Sequence, residues 1–210
     1  MNKKKINEIF SRFKEKNPNP KIELEFSDAY TLLVAVILSA QSTDKGVNRV
    51  TPALFAVADT PAKMVKLGLD ALKKHIKTIG LYNSKAKHII AMSQALIENH
   101  NGEVPCDFIS LQKLPGVGRK SANVLLNSMW GHHTIAVDTH VFRVSNRIGL
   151  CRTQNPLQTE LALVKAIPKE WQDKAHHWLV LHGRYICKAR KPNCLQCLIN
   201  DLCEYPDKNV

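Results

Sequence analysis

Two short segments and a cysteine-rich tail carry the residue types that perform covalent or metal chemistry. The first is Leu114-Pro115-Gly116-Val117-Gly118-Arg119-Lys120. Two glycines alternating with an apolar residue make a tight turn that another backbone can approach, because neither carries a Cβ. A helix beginning just after it offers the unpaired N–H groups of its first turn to an anion. Such a helix-hairpin-helix grips a DNA backbone without reading bases. The competing reading, a P-loop, fails. The four residues between its glycines and the Ser or Thr directly after Gly-Lys are absent, and no buried strand precedes. Taken alone, Pro-Gly-Val-Gly is equally a plain turn between helices, and Lys120 one more phosphate-contacting lysine.

Lys120 gains meaning from its neighbours. It falls in the first turn of the expected helix, where the positive end of the macrodipole disfavours a second positive charge. Arg119 adds like-charge pressure in the same direction, and both favour the free amine that can attack carbon. Further on, Val137-Asp138-Thr139-His140-Val141 places a carboxylate where an apolar segment meets a helix. Asp138 can cap that helix. It can also balance a cationic sugar intermediate, and one role does not preclude the other.

Cys187, Cys194, Cys197 and Cys203 form C-x6-C-x2-C-x5-C within the last twenty-four residues. Four thiolates at close spacing in a reducing compartment signal a metal site rather than disulfides. Structural zinc usually joins two short cysteine pairs, and only Cys194 and Cys197 form one here. The uneven loops suit a [4Fe-4S] cluster, with one thiolate per iron, at least as well. Cys106 and Cys151 stand apart as ordinary cysteines. Arg184, Lys188, Arg190 and Lys191 would make the metal-pinned loop a cationic surface, and the metal's simplest role is to fold a loop without a core of its own.

The elements that must position these groups read as helices, so the fold class expected is all-α. Ile6, Ile9, Phe10 and Phe13 give an amphipathic first helix, stopped by Asn17-Pro18-Asn19-Pro20. Ser27 is the expected N-cap of an apolar helix running to about Ala40. Helices are also expected over Asp44 to Ala58, from Thr60-Pro61, from a cap at Asn83 to Asn101-Gly102, and over Arg119 to Met129, Thr139 to Arg147 and Trp171 to Tyr185. Thr134-Ile135-Ala136-Val137 has a strand-like composition but is too short and solitary to build a sheet.

Composition narrows the partner. The chain has 210 residues, 44% of them hydrophobic, and 30 Lys and Arg against 18 Asp and Glu, for a net charge of +12. A surplus of that size favours polyanions, since each neutralised phosphate releases counterions. The basic start, Met1-Asn2-Lys3-Lys4-Lys5, lacks the apolar stretch of a signal peptide. The run Ala29 to Gln41 is too short to span a bilayer. A cytoplasmic protein with no membrane partner is expected, with a monomer as the default.

In this order, Leu-Pro-Gly-Val-Gly-Arg-Lys, Val-Asp-Thr-His and C-x6-C-x2-C-x5-C resemble the endonuclease III family. The similarity extends along nearly the whole chain and includes Leu38-Ser39-Ala40-Gln41-Ser42-Thr43-Asp44, Ile79-Gly80-Leu81-Tyr82-Asn83-Ser84-Lys85-Ala86 and His177-Trp178-Leu179-Val180-Leu181-His182-Gly183-Arg184. The resemblance implies two helical domains flanking a DNA-binding cleft. One, residues 22–132, is a six-helix barrel-like domain with the helix-hairpin-helix at about 107–130. The other joins 1–21 to 133–210 and carries the [4Fe-4S] cluster. It implies a base-excision-repair glycosylase and abasic-site lyase acting on double-stranded DNA that contains oxidised pyrimidines such as thymine glycol. Lys120 would be the nucleophile and Asp138 the essential carboxylate. Gly116, Val117, Gly118, Arg119, Arg184 and Lys191 would contact DNA, and Gln41 and Leu81 would fill the gap left by a flipped nucleotide. Ser121 stands where relatives often have Thr, and Gln112 where an acidic residue is expected, so no carboxylate role carries over there. A non-catalytic DNA-binding module would need neither Lys120 nor Asp138. An electron carrier would need neither the charge nor the hairpin. A monofunctional adenine glycosylase would lack the lysine and carry an extra C-terminal domain.

Overall fold

A computed structural model describes residues 1–209 as helices and loops, with no strand among the described residues. In chain order the helices are α1 (Lys3–Lys16), α2 (Ala29–Ser39), α3 (Asp44–Phe55), α4 (Pro61–Leu67), α5 (Leu69–Ile76), α6 (Tyr82–His100), α7 (Phe108–Lys113), α8 (Arg119–Trp130), α9 (Thr139–Ile148), α10 (Pro156–Ala166) and α11 (Lys169–Tyr185). They fall into two compact units, Glu23–Trp130 and a discontinuous one that joins Met1–Ile22 to the chain from Gly131 onward.

Within the continuous unit, α2 is the core. Every residue from Tyr30 to Leu38 is buried, as befits a helix apolar on all sides, and α3, α6 and α8 pack around it. Its buried phenol is satisfied, Tyr30 Oη lying 2.7 Å from Ser93 Oγ. The N-cap is Asp28, not Ser27. Asp28 Oδ1 accepts the Thr31 N–H at 2.8 Å, and Thr31 Oγ1 accepts the Asp28 N–H at 3.0 Å. That reciprocal box requires a side-chain acceptor three residues after the cap that can reach back to its N–H; Thr31 supplies it to Asp28, whereas Tyr30, three residues after Ser27, spends its hydroxyl on Ser93. Helix α3 stops at Phe55, short of Ala58. The helix opened by Thr60-Pro61 breaks at Gly68, whose φ of 79° is open to glycine, giving α4 and α5. Helix α6 starts one turn-residue before the expected cap. Leu81 holds the N-cap position, and Asn83 lies inside the first turn.

In the discontinuous unit, Ile6, Ile9, Phe10 and Phe13 of α1 are buried and meet α11. The Phe10 ring centroid is 6.3 Å from Trp171 and 6.1 Å from Trp178. The two indoles spend their donors back on the α1 side, Trp171 Nε1 on Asn7 Oδ1 at 3.1 Å and Trp178 Nε1 on the Asn17 carbonyl at 2.8 Å. Helix α9 packs on α10 and α11. Residues 134–137 form no strand. Ile135, Ala136 and Val137 are buried as an irregular segment, and buried His176 on α11 donates from Nδ1 to the Ala136 carbonyl at 2.7 Å.

Candidate functional site

The hairpin is built by short apolar anchors. Leu111, Leu114 and Val117 are buried, and the Val117 N–H closes the turn onto the Leu114 carbonyl at 3.1 Å. Asp107 caps α7 through the Ser110 N–H at 2.9 Å. Gly116 sits at φ 79°, and a Cβ there would lie 2.8 Å from His88 Cβ, so the turn is seated directly on α6. Gly118 is exposed and would meet nothing within 4 Å. One glycine therefore faces the protein and the other faces open space. The Arg119 guanidinium lies over the Phe108 ring, 4.9 Å from its centroid, which ties α8 to α7. Lys120, next along α8, is exposed, and its side chain makes no hydrogen bond or ion pair among the described residues.

Asp138 caps α9 with a single oxygen. Oδ1 accepts the N–H groups of His140 at 2.9 Å and Val141 at 2.8 Å. Both capping bonds thus fall on the same carboxylate oxygen. The bond from His176 to Ala136 fixes the chain two residues upstream of it.

Gln41 and Leu81 share an unusual backbone. Both are left-handed, at φ 55° and 58°, a conformation that costs a non-glycine residue about 1–2 kcal/mol. Leu81 is also 60% exposed. The two loops are neighbours: a Cβ on Gly80 would stand 3.7 Å from the Gln41 carbonyl oxygen. Strain of this kind, carried by an exposed leucine, marks a position held for something other than stability. Lys191 is left-handed too, at φ 50°, and exposed, whereas Arg184 is half-buried in the last turn of α11.

The four tail cysteines line one small pocket together with Ile148, His182, Ile186 and Pro192. Burial pushes the Cys197 thiol up to about 11 and raises Cys203 as well, a setting in which thiolates form opposite a compensating cation. Zinc would draw four sulfurs to about 2.3 Å from one point, whereas a cubane takes one thiolate on each iron and so suits thiols spread round a pocket. Basic side chains brace this loop. Arg147 Nη1 stands 3.8 Å from Cys187 Sγ and donates to the Lys188 carbonyl at 2.7 Å. Arg143 donates to the Cys187 carbonyl at 3.2 Å, and His182 Nε2 lies 3.7 Å from Cys197 Sγ. Burial lowers His182 to about 4, so it stays neutral. Arg143 and Arg147, one turn apart on α9, went unnoticed in the sequence. Their spacing was the available signal, and without knowing where the tail folds back it pointed nowhere.

A backbone-gripping hairpin joined in one chain to a four-cysteine metal loop defines a DNA-repair class. Residues 34–169 match the family model described as the HhH-GPD superfamily base excision DNA repair protein, and residues 187–203 match the iron-sulfur binding domain of endonuclease III. Endonuclease III of Haemophilus influenzae is 56% identical over 208 residues, covering 99% of each chain. That of Rickettsia conorii is 58% identical over 200 residues, covering 95% of each. A trapped endonuclease III-DNA covalent intermediate superposes with a TM-score of 0.91 at 43% identity, over 97% of this chain and 96% of that one. The chain belongs to the endonuclease III family. It is a base-excision-repair DNA glycosylase with abasic-site lyase activity, its partner is DNA, and it carries one [4Fe-4S] cluster. No helix among the described residues is long and apolar enough to cross a membrane.

Proposed function

We propose that the chain excises oxidised pyrimidines such as thymine glycol from double-stranded DNA and cleaves the abasic product through an imine on Lys120. The observation that carries this reading is the placement of an exposed lysine in the first turn of α8, directly after the hairpin, in a relative of an enzyme trapped covalently on DNA. The hairpin, Gly116 to Arg119, holds a phosphate and so delivers the sugar to the next residue along the helix. Arg184 and Lys191 add backbone contacts. Gln41 and Leu81 enter the stack as the damaged nucleotide leaves it, a step made less costly by the poorer pairing and stacking of a damaged base.

Lys120 Nζ bonds to C1′, and the C1′–N bond to the base breaks with its electron pair leaving on the base, which takes up a proton. Asp138, through the oxygen not used in capping, balances the positive charge on the sugar. Ring opening gives the imine. Loss of a C2′ proton then expels the 3′ phosphate, and hydrolysis returns the amine. Cys187, Cys194, Cys197 and Cys203 hold the cluster, which supplies four covalent anchors to the tail. The protein works as a monomer in the cytoplasm.

Borohydride trapping on duplex DNA bearing thymine glycol or an abasic site tests the assignment. Lys120→Gln should lose the adduct on both substrates, with turnover down by about a thousandfold or more, while duplex binding and the cluster absorbance persist. An adduct at the wild-type level would remove Lys120 as the nucleophile. Asp138→Asn, which keeps a capping oxygen, should slow base loss by about a hundredfold with little change in melting temperature.

A further inference from the structure

Lys85 is buried, 4% exposed, in the first turn of α6. Among the described residues it has no carboxylate partner. Its ammonium donates instead to the Leu38 carbonyl at 2.8 Å and to Ser42 Oγ at 3.0 Å. Leu38 O belongs to the last turn of α2, the negative end of that helix. The backbone N–H of the same lysine donates to the Leu81 carbonyl at 3.1 Å. That main-chain bond is the first turn of α6 closing on its N-cap, so the Lys85 side chain ties the turn that starts at Leu81 to Leu38 and to Ser42, the neighbour of Gln41. A cation at this place costs stability twice, by desolvation and by its position at the positive end of α6. Burial pushes the Lys85 ammonium down accordingly. A leucine or methionine would fill the space without either cost, so the charge serves the geometry of the two loops.

We infer that Lys85 is a positioning residue that locks the Gln41 and Leu81 loops at a fixed spacing, so that both side chains enter the base stack together. The inference rests on the reading of Gln41 and Leu81 as the pair that fills the flipped-out gap. Lys85 touches no substrate. It acts by holding two strained, exposed residues ready before DNA arrives, which removes ordering entropy from the extrusion step.

The test compares Lys85→Met, Leu81→Ala and the double variant on two substrates. One is single-turnover excision of thymine glycol from a duplex, which requires stack invasion. The other is borohydride trapping on a single-stranded abasic oligonucleotide, which has no stack to invade. K85M should slow duplex excision about ten- to a hundredfold and leave single-strand trapping within about twofold. The double variant should be no slower than about threefold beyond L81A, because the lysine acts through that residue. Equal loss on both substrates would make Lys85 a fold-supporting residue only, and an unchanged duplex rate would remove its role altogether. L81A with normal duplex excision would overturn the gap-filling reading itself, whereas a slow L81A beside a normal K85M would overturn only the assignment of Lys85. If K85M fails to fold, Ser42→Ala keeps the bond to Leu38 and should still slow duplex excision alone by about threefold; no change there would sink the proposal.

Discussion

The hairpin turn joins two helices and the cysteine loop follows the last of them, and the two are held by opposite means. Leu111, Leu114 and Val117 bury themselves in the unit that contains them, and the turn needs only the close seat of Gly116 on His88. Among the described residues beyond Tyr185 there is no regular helix, and few side chains are buried, Ile199 and Pro192 among them. What replaces a core there is a set of charged clamps, from Arg143 to the Cys187 carbonyl and from Arg147 and Arg12, and four thiols around one pocket. A short loop can present a reactive residue when apolar anchors fix it. A longer polar one needs covalent anchors, because it cannot bury enough apolar surface to offset its ordering entropy.

Removing one anchor should break the comparison most visibly. Cys197→Ser leaves three thiolates, and the cluster absorbance should disappear with hydrogen-exchange protection across residues 187–205. Protection within Glu23–Trp130 should persist. Loss of protection in both units would show that the tail supports more than itself. The hairpin should respond to backbone geometry instead. Gly116→Ala puts a Cβ at a left-handed position 2.8 Å from His88 Cβ, and should cost about 2 kcal/mol. For a chain of this size that corresponds to about 4–8 °C in melting temperature. Gly118→Ala, in open space, should barely move it, and its effect would appear in duplex affinity.

The same contrast explains what the sequence disclosed. Chemistry-bearing motifs are local: Gly-Val-Gly-Arg-Lys, Val-Asp-Thr-His and the cysteine spacing can be read because the physics acts within a few residues. The long amphipathic helices were legible for the same reason. Helices α7 and α10 were not. Helix α7 is six residues long, less than two turns of pattern. Helix α10 leaves Leu157, Leu161 and Val164 exposed, so its apolar residues do not mark a buried face. The starts of α2 and α6 were misplaced by one or two residues, since Ser27 beside Asp28, and Asn83 beyond a left-handed Leu81, are each chemically able to cap. Lys85 lies within the segment Ile79 to Ala86, where nothing in the residue pattern marks it as enclosed. A lysine in a helix reads as surface until the fold shows it to be enclosed, and its partners lie more than forty residues away.

The smallest effect sharpens the comparison where the clamp is only electrostatic. Arg12 on α1 reaches two residues of the tail, donating to Asp201 Oδ1 at 2.6 Å and Oδ2 at 3.0 Å and to the Leu198 carbonyl at 2.9 Å. The pair with Asp201 is largely exposed, so Arg12→Gln should shift melting by about a degree at low salt, and by less as salt rises. Its pH dependence has a definite sign. The bond from Arg12 holds the Asp201 carboxyl below its ordinary value, so the contribution is complete above the unfolded value of about 3.9. It is lost as pH falls through the lower folded one. The gap between wild type and R12Q should therefore be flat from neutral pH to about 5 and narrow below about 4, compared where the cluster absorbance persists. The bond to the Leu198 carbonyl does not titrate, so the gap should not close completely. If R12Q lost its cluster at neutral pH, the arginine rather than the thiolates would be the tail's main anchor, and the contrast with the hairpin would rest on charge instead of metal.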